Sequence, residues 1–211
     1  MLTAVNAAAS AALDALVNAL EAKAPHLRGH SARVAELSAL VATELGRADP
    51  DIEAVRIGAR LHDIGEIGIR DDVLGKRGPL TDAEFEHVKA HVVVGAQILA
   101  PLVHLEPVLG FVRSHHERWD GSGYPDRLAG DAIPWGARVI GAVEIYDALT
   151  TPRPYQRTVA PAVALARLAD LAGTVIEPAL ASALTTVLER RAGPAPITSS
   201  RSWPCPETPS S

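Results

Sequence analysis

The 211-residue sequence predicts an all-α protein, a helical bundle, and three observations carry the fold class. Apolar residues recur at i, i+3, i+4 and i+7 in one segment after another. No run alternates apolar and polar residues in the period of a strand. Neither G-x-G-x-x-G nor G-x-x-x-x-G-K-[ST], the loops that join a strand to a helix around a nucleotide, is present. An apolar fraction of 47% against 21% charged residues supports a buried core of ordinary size.

Residues 3–22 put Leu13, Leu16, Val17 and Leu20 on one helical face. That face packs on its own domain or, in a homodimer, on the same helix of a second copy. The run lacks a basic leader and is interrupted by Asn6, Asp14 and Asn18, so it reads as neither signal peptide nor membrane span. A second helix begins near His30, with Val34, Leu37, Leu40 and Val41 as its stripe. A third opens at Asp49-Pro50, carries Ile52, Val55, Ala59 and Leu61, and is expected to end at Gly65. Residues 66–80 read as a connector. Thr81 and Glu84 then form a T-x-x-E capping box opening a helix expected to run unbroken to Pro101, which would place His87 and His91 on one side. A short helix over Glu106–Val112 delivers His115 and His116, a Gly- and Pro-punctuated loop follows, and Trp135–Thr150 is a further helix. The last two helices open at Pro161 and near Ile176. The domains are thus an N-terminal amphipathic helix over 1–23, a helical domain over 24–191 and a Pro/Ser-rich disordered tail over 192–211.

The net charge of −5 argues against a partner that is a nucleic acid polymer, because neutralising phosphates requires concentrated Lys and Arg. The lone Cys205 permits no intrachain disulfide, which fits a cytoplasmic location. Chemistry concentrates instead in two runs, LHDIGEIGI and HHERWDGSGYP. Adjacent histidines beside carboxylates are costly to bury unless protons or metal ions satisfy them. The candidate ligands are His30, His62, Asp63, His91, His115, His116 and a carboxylate from Glu144 or Asp147, with His26 four residues before His30. A thiolate-free set of imidazoles and carboxylates favours iron or manganese. More donors than one ion needs suggest two ions sharing a carboxylate, and a pair about 3.5–4 Å apart is suited to hydrolysing a phosphoester. The Glu-x-x-His pairs of di-iron bundles occur once, at Glu84–His87, which is poor support for oxygen chemistry.

The sequence closely resembles the HD-GYP subgroup of the HD-domain metal-dependent phosphohydrolases. The resemblance covers roughly residues 24–190 and rests on His30-x-x-Arg33, LHDIGEIGIRDDVL, His91-x-x-x-Gly95, HHERWDGSGYPDRLAGDAIP, ARVIGAVEIYDALT and RPYQR, in the family's order and approximate spacing. It implies hydrolysis of cyclic di-GMP or a related nucleotide at a centre of two or three divalent ions. The implied ligands are His62, Asp63, His91, His115, His116 and Glu144, with Asp63 bridging; His26 and His30 align with residues that hold a third ion in some members. It also implies phosphate contacts from Arg153 and Arg157, and a Gly123-Tyr124-Pro125 loop that lies near the site and docks a partner of the diguanylate-cyclase type.

Three departures from the family pattern stand out. Glu66 occupies the position of a lysine thought to face the substrate phosphate, Glu144 replaces an aspartate that Asp147 could partly substitute, and Gln156 replaces a basic residue. A carboxylate at position 66 would repel a phosphodiester by on the order of 1 kcal/mol or more. Asp63 and Glu66 are therefore the catalytic positions to examine. A second expectation, a metal-retaining but weakly active nucleotide sensor or docking module, draws on Glu66 and Gln156.

Overall fold

A computed structural model of the chain describes residues 2–102, 105–152 and 158–192, without the side chains of residues 2–10 and His26. The expectations for His26 as a ligand, for Arg153, Gln156 and Arg157, for Cys205 and for a disordered tail fall outside the described residues and side chains. Among the described residues there are ten α-helices and no strand, as an all-α protein requires.

The principal core is built by α2 (His30–Glu44), α3 (Asp49–Leu61), α8 (Trp135–Thr150), α9 (Pro161–Asp170) and α10 (Pro178–Ala192). Val34, Val41, Val55, Ala59, Ile140, Val143, Leu168 and Leu184 are fully buried there. Each buried valine or leucine is worth about 1.5–3 kcal/mol. A second apolar cluster joins α1 (Leu2–Lys23), α6 (His91–Leu99) and α7 (Glu106–Ser114) to the end of α3. Val17 and Leu20 of α1 meet Leu61, Ile64, Leu99 and Val112 in it, so α1 packs on its own chain. Lys23 Nζ secures its end by donating to the carbonyls of Ile67 and Ile69, each at 2.7 Å.

Four expectations about the helices change. Helix α3 stops at Leu61, and the chain turns through a single 3-10 segment, Ile64–Gly68, in which Gly65 touches the backbone of α6. A Cβ on Gly65 would lie 1.9 Å from the His91 carbonyl oxygen and 2.5 Å from the Gly95 nitrogen. The supposed connector contains a further short helix, α4 (Asp71–Leu74), with Asp71 and Asp72 in its first turn, where the helix dipole favours acidic groups. The helix expected to run to Pro101 is two, α5 (Asp82–Lys89) and α6, broken at Ala90. The Thr81/Glu84 capping box is present, with Glu84 Oε2 accepting from the Thr81 N–H at 2.7 Å. The break separates His87 from His91: His87 Nε2 accepts from the Arg70 N–H at 3.2 Å, away from any ligand cluster. Helix α10 begins at Pro178 rather than Ile176.

Candidate metal centre

Three of the histidines reach the centre by one device. His62 follows the last residue of α3, His91 follows the break after α5, and His115 follows α7. A helix end leaves carbonyls without intrahelical donors. Each of these imidazoles uses Nδ1 to donate to the carbonyl three residues back: His62 to Ala59 at 2.8 Å, His91 to Val88 at 2.8 Å and His115 to Val112 at 2.7 Å. For His91 this also accounts for the break at Ala90, because the Val88 carbonyl is the one a continuing helix would give to residue 92. A carbonyl only accepts, so the proton is on Nδ1 and the Nε2 lone pair faces inward.

Asp63 stands among those lone pairs. Its Oδ2 lies 3.1 Å from His62 Nε2 and 3.6 Å from His30 Nε2, while its Oδ1 lies 3.6 Å from His91 Nε2 and 3.9 Å from His115 Nε2. One carboxylate thus divides four imidazoles into two pairs. His116 and Glu144 complete the ring, with His116 Nδ1 3.9 Å from Glu144 Oε2. Donor atoms of His91, His115 and His116 converge within 4.8 Å of one another, as do those of His30, His62 and Glu144, and those of His62, Asp63 and His115.

Two observations show that the residues fit cations. His30 Nε2 is buried with no hydrogen-bond partner, and His62 Nε2 faces the Asp63 oxygen 3.1 Å away, an arrangement that needs a proton or a cation between the imidazole and the carboxylate. His91 Nε2 and His115 Nε2 are 3.4 Å apart although both rings carry their proton on Nδ1, so two lone pairs face each other. The electrostatics agree. Burial, with the neighbouring His116, His62 and His91, holds His115 well below the usual imidazole value, and burial lowers His116 against the pull of Glu144. Burial opposes the charged form of His62, yet Asp63 outweighs it and raises His62 to about 9, so where no cation is bound a proton takes the Nε2 position that a cation would occupy. Burial would raise Asp63, but His62, His91 and His30 hold it well below the carboxylate range. An anionic carboxylate within reach of imidazole lone pairs is a cation cradle.

The remaining expected site residues take varied places. Asp147 stands behind His30 rather than in the ring of donors: its Oδ2 accepts from His30 Nδ1 at 2.7 Å, and its two oxygens accept from Arg33 Nε at 2.6 Å and Nη2 at 3.1 Å. Burial works against this carboxylate, but those hydrogen bonds win and keep it ionised. Thr151 Oγ1 also donates to it, at 3.0 Å. Glu66 is half-buried in the 3-10 turn after Asp63, and its charge is felt at the Tyr124 hydroxyl. The Tyr124 ring packs 4.9 Å from the His116 ring, and burial together with Glu144 and Asp63 keeps its hydroxyl protonated. Gly123 is buried beneath this loop, where a Cβ would lie 2.4 Å from the Arg118 nitrogen; its neighbour Pro125, joined to Tyr124 by a cis peptide, is half-buried. Arg33 entered the sequence reading only as part of the His30-x-x-Arg33 motif, and Glu117 was not given a role. Glu117 is buried and accepts from the Asp126 N–H at 2.7 Å, pinning the Gly-Tyr-Pro loop, and its only signal was position beside His115-His116.

The model of the HD domain matches residues 14–180. The chain belongs to the HD domain family. With His62-Asp63 and Gly123-Tyr124-Pro125 both present, it carries the sequence signature of the HD-GYP subgroup. It is 38% identical over 169 residues to the 3'3'-cGAMP-specific phosphodiesterase 3 of Vibrio cholerae serotype O1, covering 80% of this chain and 37% of that protein. It is 36% identical over 174 residues to the cyclic di-GMP phosphodiesterase response regulator RpfG of Xanthomonas campestris pv. campestris, covering 82% and 46%. The chain spans less than half the length of these curated relatives. Among solved structures it resembles the cyclic GMP-AMP-specific phosphodiesterase V-cGAP3 of V. cholerae, with TM-score 0.52, 31% identity and coverage of 83% and 40%. Its fold also matches Bd1817, an HDG"Y"P protein of Bdellovibrio bacteriovorus, with TM-score 0.62, 23% identity and coverage of 75% and 51%.

Proposed function

We propose that this HD-GYP protein is a metal-dependent phosphodiesterase hydrolysing cyclic di-GMP or a closely related cyclic dinucleotide. The observation that carries the reading is the split of Asp63, one oxygen toward His30 and His62 and the other toward His91 and His115. In this reading His91, His115 and His116 would hold one divalent ion and His30, His62 and Glu144 a second, with Asp63 offering one oxygen to each side. Iron or manganese suits the donors. A third ion would engage His26. Bound there, such ions lower the pKa of water and stabilise charge on phosphate oxygens.

The chain's own residues do the rest. The four Nδ1 hydrogen bonds keep each Nε2 lone pair aimed inward, so the site needs no reorganisation to load. Tyr124 keeps its proton beside the centre and can donate to a phosphate oxygen. Arg153 and Arg157 supply positive charge to the diester, the Gly-Tyr-Pro loop presents a docking surface to a diguanylate-cyclase-type partner, and the substrate places the protein in the cytoplasm. The helical domain over 24–191 is the catalytic unit, with the helix over 1–23 as its packing partner. No described helix is long and apolar enough to cross a membrane.

One observation favours a second reading. Glu66 stands in the turn after Asp63 where the family resemblance places lysine, so that position offers no positive charge to the substrate phosphate, which suits a nucleotide sensor of low turnover. Both readings are tested by assaying hydrolysis and binding of cyclic di-GMP, 3'3'-cGAMP and bis(p-nitrophenyl) phosphate with Mn²⁺ or Fe²⁺. Turnover of a cyclic dinucleotide that is lost in Asp63→Ala supports the phosphodiesterase. Binding without turnover supports the sensor, and an Asp63→Ala variant with full activity refutes the mechanism.

A further inference from the structure

A cavity of about 190 Å³ borders the metal centre. Its walls include His116 and Glu144 of the centre, Trp119 from the loop after α7, Arg138 of α8 and Glu177 from the turn before α10. The loop and the turn are tied together, since the Trp119 and Asp120 N–H groups donate to the carbonyls of Val175 at 3.1 Å and Thr174 at 2.8 Å. These contacts make the cavity a fixed feature between two pinned segments.

Its polar wall is organised around one carboxylate. Arg138 is largely buried and its Nη1 donates to Glu177 Oε2 at 2.8 Å and to Asp131 Oδ1 at 2.9 Å, while its guanidinium lies 5.5 Å from the centre of the Trp119 ring. Glu177 Oε1 makes no hydrogen bond among the described residues. The carboxylate is therefore held in orientation by a charge-assisted bond, with one acceptor oxygen left over. Much of the remaining wall is apolar, from residues such as Ile145, Ala148 and Val175.

We infer that this cavity is a nucleobase subsite and that Glu177 reads guanine there, an inference that rests on the cyclic-dinucleotide reading of the adjoining centre. A planar base suits an apolar cavity with an aromatic wall. The Watson–Crick edge of guanine carries two neighbouring donors, N1–H and the N2 amino group, which a fixed carboxylate accepts. Adenine turns the N1 lone pair to the same position, against the negative oxygen. A site built to accept from a base rejects the analogue that lacks the donor, because its polar group is then left unpaired. The neighbouring ligands His116 and Glu144 put the phosphodiester of the same nucleotide beside the metal centre. Glu177 is thus a specificity residue and takes no part in the bond-breaking step.

The test compares equilibrium binding of GMP and AMP to the full chain, with and without Mn²⁺, for wild type, Glu177→Ala and Glu177→Gln. Rates on cyclic di-GMP and cyclic di-AMP are measured in parallel. Wild type is expected to prefer GMP by about tenfold or more, the ratio that one well-placed hydrogen bond to a charged group sets. Both variants are expected to bring that ratio close to one. Glu177→Gln keeps an acceptor for Arg138 and so guards against a trivial loss of folding. Equal binding of GMP and AMP by wild type, or a GMP preference that survives in both variants, overturns the assignment. A GMP preference that the variants abolish, in a protein that hydrolyses no cyclic dinucleotide, upholds the subsite and overturns the activity instead.

Discussion

The histidines of the centre are held in two different ways. His62, His91 and His115 are held by backbone: each closes the end of its own helix and takes a carbonyl three residues earlier. His30 is held by a side chain, the Asp147 carboxylate that Arg33 and Thr151 also grip, and His116 lies against the side chains of Glu144 and Tyr124. A carbonyl cannot be mutated away, so the first group is fixed by the helix ends that deliver it. The second group can be tuned by single substitutions, and Glu144, where the chain departs from its family pattern, lies against it. The rigid side fixes where metal binds, and the adjustable side sets how tightly and to what effect.

The sharpest way to break this division is to disturb the backbone-held side. Gly65→Ala would push a methyl group into the His91 carbonyl, where rigid backbone cannot yield. The expected loss is about 4 kcal/mol or more, at the exceptional end for a single substitution. Chemical denaturation measures it, and a loss under about 1 kcal/mol would show that the helix ends are looser than described. The side-chain-held part should respond more gently. Asp147→Ala leaves His30 Nδ1 and Arg33 without their acceptor and should weaken one of two metal sites by about 10–100-fold while sparing the other, as loss of an outer partner of a ligating histidine does. Metal titration should resolve two affinities in that variant. Equal weakening of both sites would mean that the poles are not independent.

Far from both groups, the cap of α5 offers the smallest effect. Thr81→Ala should cost about 1 kcal/mol with no change in metal affinity. The partner Glu84 is held down to about 2 by hydrogen bonds from Lys76 and Thr81. A carboxylate whose value is depressed on folding stabilises at pH above its unfolded value of about 4.5, and that contribution fades as pH falls toward about 2. The stability gap between wild type and Glu84→Gln should therefore hold steady near neutrality and narrow below about pH 4.5. Urea midpoints across that range provide the check.

The same division explains what could be read from the sequence. Helix starts were legible wherever a local signal marks them, as with Asp49-Pro50, the Thr81/Glu84 box and Pro161. The break at Ala90 was not, because VKAHVV is good helix sequence and the interruption exists to free the Val88 carbonyl for His91. The end of α3 was misplaced at Gly65 because glycine often stops a helix, whereas this one serves the close approach to α6. The donors were legible as residue types, and family order supplied which belong together. The role of Asp147 was not legible. Its spacing from Glu144 puts both carboxylates on one side of α8, and only the approach of His30 from α2 shows that Asp147 orients a ligand. Glu177 lay outside every motif, since its partner Arg138 is 39 positions away.

Asp63 as a bridge between two poles is tested most directly by electron paramagnetic resonance of the protein titrated with Mn²⁺. Wild type should take up at least two ions per chain and develop the spin-coupled signal of a bridged pair, and Asp63→Ala should lose this signal. An isolated single-ion spectrum in wild type at every loading would contradict it.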